Sequence, residues 1–236
     1  MSIEKPLVRA IIFDLDGTLI DSAPDIHAAA NRLMGELSLP AFDLKTIVSF
    51  VGNGIPKLVE RCLAASGEAG RTVDLDHAIE RFKAYYAEEP TLRTRPYPGV
   101  IEALAEFSGA GCRLGIVTNK AEELSHAALA GLGLAHFFQV VVGGDTLATR
   151  KPDPEGLALA LAKLGASKAD SLYVGDSEVD AETAACAGVR FALFTDGYRK
   201  SPISALPHWY AFDDMRMLLK HVTLIDAAET RPLELR

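Results

Sequence analysis

Short apolar runs alternate with helix-like segments over most of the chain, and this alternation predicts a parallel α/β sheet. The apolar runs are residues 8–13, 113–118, 138–142, 171–175 and 189–194. Continuous apolar character is typical of strands that are buried on both faces of a parallel sheet. Helices are predicted between the later runs, over residues 121–130, 154–164 and 178–187, the last ending at Gly188. Repeated strand–helix units predict right-handed βαβ connections and a doubly wound sheet.

One long interval interrupts this alternation, because residues 21–95 show no strand pattern. Four helices are predicted there instead, over residues 24–36, 43–50, 55–65 and 74–87. A structureless loop of about 75 residues is not expected inside a compact domain. We therefore predict an α-helical cap domain at 21–95, inserted into a core domain formed by 1–20 and 96–236. The connections are expected near Ser22 and near the Pro- and Gly-rich residues 95–99.

The end of the chain carries weaker patterns than the rest. Residues 206–212 are expected to approach a last short strand, and residues 213–221 are expected to form a helix. No role is predicted for residues 223–236.

Composition and charge narrow the function classes. Apolar residues make up 49% of the 236 residues and charged residues 24%, which is typical of a globular protein. The 32 acidic and 24 basic residues give a net charge of −8, which argues against a nucleic-acid partner. No segment approaches the ~18 apolar residues of a membrane span, and the first ten residues lack the apolar region of a signal peptide. A cytoplasmic protein without a membrane partner is expected, as a monomer or a homodimer.

The three cysteines give no sign of a disulfide framework or of a metal site. Cys62, Cys112 and Cys186 are odd in number and widely spaced. Each has apolar neighbours in the sequence, and free cysteine is among the most frequently buried residue types. We therefore expect three buried, reduced thiols.

Polar and acidic residues follow four of the predicted strands, where an open parallel sheet binds its ligands. These residues are Asp14, Asp16, Gly17 and Thr18; Thr118, Asn119 and Lys120; Asp145 and Lys151; and Asp176, Ser177 and Asp180. Four carboxylates, those of Asp14, Asp16, Asp176 and Asp180, would repel one another in a single site. A hard divalent cation with oxygen ligands, such as Mg²⁺, would hold them together, and Lys151 would add positive charge.

A site with Mg²⁺, a lysine and the N–H groups of the turn at Gly17 suits a phosphoryl group. One aspartate, if not needed purely as a ligand, could attack phosphorus and form an aspartyl phosphate. Asp16 could donate and later accept the protons of that reaction. Taken singly, the other residues have plainer explanations, because Thr118–Asn119 could cap a helix and Asp180 could be an ordinary helix-start charge. The spacing does not match an EF-hand or a nucleotide-binding glycine motif.

Together, these motifs resemble the haloacid dehalogenase-like hydrolase superfamily from about residue 8 to residue 197. The motifs that carry the resemblance are Asp14-Leu-Asp16-Gly17-Thr18, Val117-Thr118-Asn119, Lys151-Pro152 and Gly175-Asp176 through Asp180. The resemblance implies a Rossmann-like core with a helical cap, Asp14 as nucleophile and Asp16 as general acid and base. It implies Mg²⁺ bound by the carboxylates of Asp14 and Asp176 and the Asp16 carbonyl, with Asp180 nearby. It also implies that Thr118, Asn119 and Lys151 bind the phosphoryl group.

Within that superfamily, further segments are similar to the phosphoglycolate phosphatases. They are residues 21–25, 51–54, 95–99, 117–120 and 151–154. The resemblance implies a phosphoric monoester hydrolase of carbohydrate metabolism, with 2-phosphoglycolate as the favoured small phosphorylated substrate. Free N–H groups at the start of the helix after Gly52, Asn53 and Gly54 would suit a carboxylate, so these residues are predicted to contact the substrate. An ordinary interhelical turn explains the same three residues equally well.

Three other functions stay open at this point. Sugar phosphates are possible substrates for the same chemistry. A β-phosphoglucomutase-like phosphotransferase would place a histidine at the entrance to the cap, where this chain has Ile26 with His27 one residue away. A non-catalytic binding protein on this fold would be expected to lack Asp14, Asp16 or Lys151, and all three are present. Dehalogenating members lack the second aspartate of the first motif, so the presence of Asp16 favours phosphoryl chemistry.

Overall fold

The computed structural model describes residues 5–89 and 91–224. The strands are β1 (Leu7–Val8), β2 (Ala10–Phe13), β3 (Ile20–Asp21), β4 (Arg95–Pro96), β5 (Arg113–Val117), β6 (Val140–Val142), β7 (Ser171–Gly175), β8 (Arg190–Phe194), β9 (Tyr210–Phe212) and β10 (Thr223–Leu224). The helices are α1 (Ala23–Glu36), α2 (Leu44–Phe50), α3 (Gly54–Ala65), α4 (Gly67–Arg71), α5 (Leu75–Glu88), α6 (Val100–Gly109), α7 (Glu122–Gly131), α8 (Glu155–Leu164), α9 (Glu178–Ala187) and α10 (Met215–Leu219).

The central sheet has six parallel strands in the order β6-β5-β2-β7-β8-β9. Numbered among themselves along the chain, these strands are ordered 3-2-1-4-5-6, the order of a doubly wound Rossmann-like sheet. The predicted fold class is therefore confirmed. In the register of β2, Phe13 pairs with Ile116 on one side and with Val174 on the other. The residues that follow β2, β5 and β7 consequently meet at one edge of the sheet.

Both faces of the sheet are covered, which explains the continuous apolar runs. Ile11 and Phe13 of β2 lie in one hydrophobic cluster, which also contains Phe107 of α6. Ala10 and Ile12 lie in the cluster on the opposite face, with residues of α8 and α9. Successive residues of a strand point to opposite faces, so a strand buried on both faces needs apolar residues at every position.

Helices α1, α2, α3 and α5 share a third hydrophobic cluster, which includes Leu33, Val59 and Phe82. Asp43 and Asp74 begin α2 and α5, and each carboxylate accepts a hydrogen bond from a backbone N–H group of the first turn. This helical segment is joined to the sheet through β3 and β4, which pair in antiparallel fashion. The two connections predicted from the sequence are thus neighbours in space.

Several predicted elements are confirmed to within two residues, and others were missed. Helix α9 has its predicted bounds, and Gly188 ends it in the left-handed region at φ 69°. The sequence analysis did not predict α4, α6 or the pairing of β1 with β10. Residues 225–236, for which no role was predicted, lie outside the described residues.

The expectation that all three cysteines are buried was wrong for Cys186, which is exposed. Helix α9 packs with Ala181, Ala184 and Ala187 toward the core, and this leaves Cys186 on the outer side. Cys62 and Cys112 are buried and unpaired as expected. Within residues 5–89 and 91–224, the structure contains no helix of the length and apolarity that a membrane crossing requires.

Candidate active site

Asp14 is the first residue after the central strand β2. Its backbone N–H donates to the carbonyl of Val174 at 2.8 Å, which continues the ladder between β2 and β7. Its side-chain Oδ1 accepts from the Leu15 N–H at 2.7 Å and lies 2.9 Å from Lys151 Nζ. Asp14 is only 8% exposed. The sheet therefore presents one buried, anchored carboxylate at its centre.

Three of the four expected carboxylates converge. Asp14, Asp176 and Asp180 are all buried, and each offers an oxygen within 4.8 Å of the others. Lys151 Nζ lies between two of these residues, 2.9 Å from Asp14 and 2.7 Å from Asp180. One lysine thus contacts two of the three buried acidic groups.

Asp180 is held firmly by its neighbours. Its oxygens accept hydrogen bonds from Tyr173 Oη at 2.8 Å and from Ser177 Oγ at 2.6 Å, in addition to the contact with Lys151. Ser177 and Asp180 form a capping box at the start of α9. Burial alone would raise the pKa of Asp180, but the charge of Lys151 and these hydrogen bonds outweigh it and lower the pKa.

Asp14 and Asp176 are the two carboxyl groups of the trio whose ionisation is disfavoured. Burial, together with the charges of Asp180 and Asp14, raises the pKa of Asp176 well above its usual value. Burial also raises the pKa of Asp14 to about 6, against the lowering influence of Lys151. Thr18 Oγ1 and the backbone N–H of Tyr198 donate to Asp176 at 2.7 and 2.6 Å. Mg²⁺ binds carboxylates in their ionised form, and a bound cation would supply the positive charge that lets Asp14 and Asp176 ionise together, so this pair fits Mg²⁺.

Two glycines leave room for this arrangement. Gly17 has φ +90°, and a Cβ there would lie 2.7 Å from Asp176 Oδ2. A Cβ on Gly197 would lie 2.3 Å from both the Gly17 carbonyl oxygen and Asp176 Cβ. The backbone can approach Asp176 this closely only because both residues lack a side chain.

Asp16 differs from the expectation of four carboxylates around one ion. Its carboxylate lies outside the trio and faces Lys120, whose Nζ is 3.1 and 3.2 Å from its two oxygens. Lys120 Nζ also donates to Tyr86 Oη of α5 at 2.7 Å. Buried Lys120 attracts the Asp16 carboxylate, and this separates Asp16 from Asp14 although they are only two residues apart.

Thr118 and Asn119 follow β5, and both are buried at the same edge of the sheet. Asn119 Nδ2 donates to the carbonyl of Gly52 at 3.0 Å and to the carbonyl of Lys151 at 3.1 Å. Asn119 thus connects the loop before α3 with the segment that carries Lys151. The predicted residues of the second and third motifs are therefore neighbours in the structure.

A cleft separates α1, α3 and α5 from the sheet edge. It is lined by Asp14, Asp16, Thr118, Asn119 and Lys120 from the sheet side and by Ile26, Val51, Gly52, Gly54, Ile55, Leu58, Phe82 and Tyr86 from the helical side. Its volume is about 50 Å³, on a scale where one water molecule needs about 10–15 Å³. Only a small ligand fits this space.

The three residues predicted at the start of α3, Gly52, Asn53 and Gly54, differ in their placement. Gly52 and Gly54 line the cleft, and a Cβ on Gly54 would lie 3.0 Å from the Asn119 carbonyl oxygen. The side chain of Asn53 instead accepts from Arg61 at 2.8 Å and lines a neighbouring cavity beside Asp176 and Tyr198.

Sequence reasoning assigned no role to several residues of this region, namely Lys120, Tyr86, Tyr173, Gly197 and Tyr198. Lys120 stood among the residues after the second predicted strand, which was a usable signal. Tyr86 and Tyr198 carry no comparable signal, because each reaches the site from an element that is distant in the sequence. Tyr173 lies within β7, where the sequence pattern indicates a strand residue and no more.

Comparisons with known proteins agree with this geometry. The model of the haloacid dehalogenase-like hydrolases matches residues 11–194. A phosphoglycolate phosphatase of Cereibacter sphaeroides is 46% identical over 215 residues, which cover 90% of this chain and 98% of that protein. A phosphoglycolate phosphatase of Rhodobacter capsulatus is 44% identical over 212 residues, covering 90% and 95%.

Solved structures give the same result. A crystal structure described as a predicted phosphoglycolate phosphatase from Haemophilus somnus superposes with a TM-score of 0.86 at 30% identity, covering 90% of this chain and 97% of that one. A second, described as a putative phosphoglycolate phosphatase from Lactobacillus delbrueckii, gives a TM-score of 0.82 at 26% identity, covering 90% and 97%. By sequence, by fold and by the order of its motifs, the chain belongs to the haloacid dehalogenase-like hydrolase family.

Proposed function

We propose that this hydrolase is a Mg²⁺-dependent phosphatase of small phosphomonoesters, with 2-phosphoglycolate as its favoured substrate. The observation that carries the proposal is the buried trio of Asp14, Asp176 and Asp180 with Lys151 against Asp14. The names of the relatives in Cereibacter sphaeroides and Rhodobacter capsulatus support the choice of substrate. The small volume of the cleft supports it too, because the space suits a ligand of few atoms.

Asp14 is the proposed nucleophile. Its Oδ1 is held by Lys151 and by the Leu15 N–H, whereas Oδ2 accepts no hydrogen bond from the described part of the chain. Oδ2 attacks phosphorus, the bond from phosphorus to the ester oxygen breaks, and an aspartyl phosphate forms. Asp16 gives a proton to the departing oxygen and then takes one from the water that hydrolyses the intermediate.

The remaining motif residues bind the phosphoryl group in this proposal. Thr118, the Asn119 backbone and the N–H groups of the turn at Gly17 donate to its oxygens, and Lys151 neutralises its charge. Mg²⁺ would be held by the carboxylates of Asp14 and Asp176 and the Asp16 carbonyl, and it would neutralise negative charge on the phosphoryl oxygens. Asp180, whose oxygens already accept several hydrogen bonds, holds Lys151 in place.

We further propose that residues 21–95 form the cap domain and that 1–20 and 96–236 form the core. The separate hydrophobic cluster of α1, α2, α3 and α5 supports this division. Gly52, Asn53 and Gly54 are the proposed substrate contacts from the cap, and the positions of Gly52 and Gly54 on the cleft support two of them. We infer a cytoplasmic location, because the substrate is a soluble metabolite, and a monomer or homodimer as the assembly.

The mutase alternative is less well supported by the cap residues. Ile26 lines the cleft and offers no group that could accept a proton. His27 directs its Nε2 to the carbonyl of Phe42 at 2.9 Å and to Asn31, away from the cleft.

The deciding experiment measures phosphate release from 2-phosphoglycolate by the wild type, Asp14→Asn and Asp213→Asn, with Mg²⁺ and with excess chelator. Asp213 is exposed and lies before α10, so its substitution is a matched control. We expect Asp14→Asn to lose about 10³-fold or more in kcat, because an amide is a poor nucleophile. Asp213→Asn should keep wild-type turnover, and all activity should stop in chelator and return with Mg²⁺. Near-normal turnover by Asp14→Asn, or full activity in chelator, would refute the proposed chemistry.

A further inference from the structure

Lys120 is a buried charged residue that the proposed chemistry does not use. It is the third residue after β5 and is only 6% exposed. Its Nζ contacts two groups from opposite sides of the cleft, the Asp16 carboxylate at 3.1 Å and Tyr86 Oη at 2.7 Å. Tyr86 belongs to α5 and is 2% exposed. A buried ammonium group in this position needs an explanation beyond surface charge.

The hydrogen-bond inventory of this pair is incomplete in the described part of the chain. The Lys120 ammonium group has three hydrogens, and three oxygens lie within hydrogen-bond distance of its Nζ, namely both oxygens of Asp16 and Tyr86 Oη. Tyr86 Oη accepts from Lys120, so its own hydrogen remains available, and residues 5–89 and 91–224 supply no acceptor for it. Within this part of the chain, the Tyr86 hydroxyl is thus a donor without an acceptor, and it lies next to the ammonium group of Lys120.

The charged residues that line the cleft also favour an anionic ligand beside Lys120. Among the residues that line it, Lys120 is the one cation, and the helical side is largely apolar. Burial alone would lower the pKa of Lys120, but Asp16 and Tyr86 raise it above its usual value, so the group stays charged. A second anionic group on a substrate whose phosphorus lies at Asp14 has Lys120 as its counter-charge in this cleft.

We infer that Lys120 Nζ and the Tyr86 hydroxyl bind the carboxylate of the substrate, an inference that rests on the proposed function and deepens it. Because Lys120 also contacts Asp16, the proposed acid for the departing oxygen, the carboxylate lies close to that oxygen. The site therefore selects phosphomonoesters with a carboxylate within one or two bonds of the ester oxygen. A longer spacer would carry the carboxylate into the apolar wall, where it would be left without a partner.

The test compares two substrates of equal length, 2-phosphoglycolate and 2-hydroxyethyl phosphate, in which a hydroxymethyl group replaces the carboxylate. The readout is the ratio of their kcat/KM values, since damage to Asp16 or to the phosphoryl site affects both substrates alike. Tyr86→Phe should lower this ratio about tenfold, and Lys120→Met should lower it about ten- to a hundredfold, as expected for lost hydrogen bonds to a charged group. Tyr85→Phe is the matched control, because Tyr85 is the neighbouring tyrosine of α5 and contacts Arg81 on the cap surface.

The outcomes distinguish failure of the carboxylate site from failure of the proposed substrate. Lower ratios in both variants, with an unchanged ratio in Tyr85→Phe, support the carboxylate site. Equal losses on both substrates, with the ratio unchanged, would overturn it and leave Lys120 as a partner of Asp16 alone. Failure of the wild type to hydrolyse 2-phosphoglycolate while it hydrolyses other phosphomonoesters would count against the proposed substrate instead. Should Lys120→Met not fold, the ratio measured for Tyr86→Phe decides.

Discussion

Lys151 is the residue whose loss should affect the folded state most sharply in the absence of metal. Its side chain is 3% exposed and contacts Asp14 and Asp180, and Asp176 belongs to the same cluster. In Lys151→Met, three buried carboxylates would remain within 4.8 Å of one another without the lysine that contacts two of them. The variant must then bury unpaired negative charge or bind protons, and both lower the free energy of unfolding.

The size of the effect follows from the burial. Removing one partner of a buried ion pair costs about 3–5 kcal/mol, which for a chain of this length lowers Tm by about 6–20 °C. Lys83→Met is the matched control, because Lys83 pairs with Glu80 on the surface, where their side chains are 46% and 70% exposed. Exposed pairs of this kind contribute about 0–1 kcal/mol, so the control should change little.

The deficit of Lys151→Met should also depend on pH. Burial raises the pKa of Asp14 from 3.8 to about 6 in the folded protein. A raised carboxyl pKa means that the stability contributed by Asp14 is complete below about pH 4 and is lost as the pH rises through about 6. Lys151 opposes this loss, because its charge lowers the pKa of Asp14. The variant should therefore fall further below the wild type at pH 8 than at pH 5.

Urea unfolding followed by circular dichroism, in chelator at pH 5 and pH 8, measures these quantities directly. Addition of Mg²⁺ at pH 8 should restore part of the lost stability, because a bound cation replaces the missing charge. If Lys151→Met lowered the free energy of unfolding by less than about 1 kcal/mol at pH 8, or by the same amount at both pH values, Lys151 would not be the residue that offsets the buried carboxylate charge.

Two further predictions concern other parts of the chain. Asp25 is 3% exposed and accepts hydrogen bonds from the backbone N–H groups of Arg93 and Thr94 and from the Thr94 hydroxyl. Asp25→Ala should therefore lower the free energy of unfolding by about 2–4 kcal/mol in urea titrations, and Asp25→Asn should have an intermediate effect. Asp25→Ala should also speed proteolysis near residues 91–95. Equal stability of Asp25→Ala and the wild type would contradict this. Burial raises the pKa of the Cys62 and Cys112 thiols to about 12, whereas Cys186 is exposed. At pH 8 a thiol reagent should therefore modify Cys186 rapidly and the other two cysteines only when the protein unfolds. Equal modification rates for all three cysteines would contradict this.

The fold was largely predictable because hydrophobic patterning records burial. Alternate residues of β2 enter opposite core clusters, so the whole run is apolar and the strand is visible in the sequence. The same property explains one error of length. Phe138 packs against the core but lies before β6, because burial and strand pairing are different properties. Helix α6 was not predicted, although its residues 100–109 are largely apolar.

The position of the site was predictable from the strand ends, whereas the direction of its side chains was not. Asp14, Thr118 and Asp176 follow neighbouring parallel strands, and the register of those strands brings them together. Asp16 has the same residue type and nearly the same position as Asp14, yet it faces Lys120 across 104 positions of sequence. Periodicity carries no information about such a pairing, because it depends on where a second element places its charge.

Tyr198 shows most directly why the rest was beyond sequence reasoning. Its backbone N–H donates to Asp176 at 2.6 Å, and its hydroxyl donates to Asp21 at 2.7 Å and accepts from the Ala23 N–H at 2.9 Å. One residue of the loop after β8 thus contacts both a carboxylate of the acidic trio and the first connection to the helical segment. The position after a predicted strand indicates the carboxylate of Asp176, and the break in the strand–helix alternation indicates the connection near Asp21. Tyr198, which contacts both, lies 177 positions from Asp21 in the sequence, and only the folded sheet brings the two residues together.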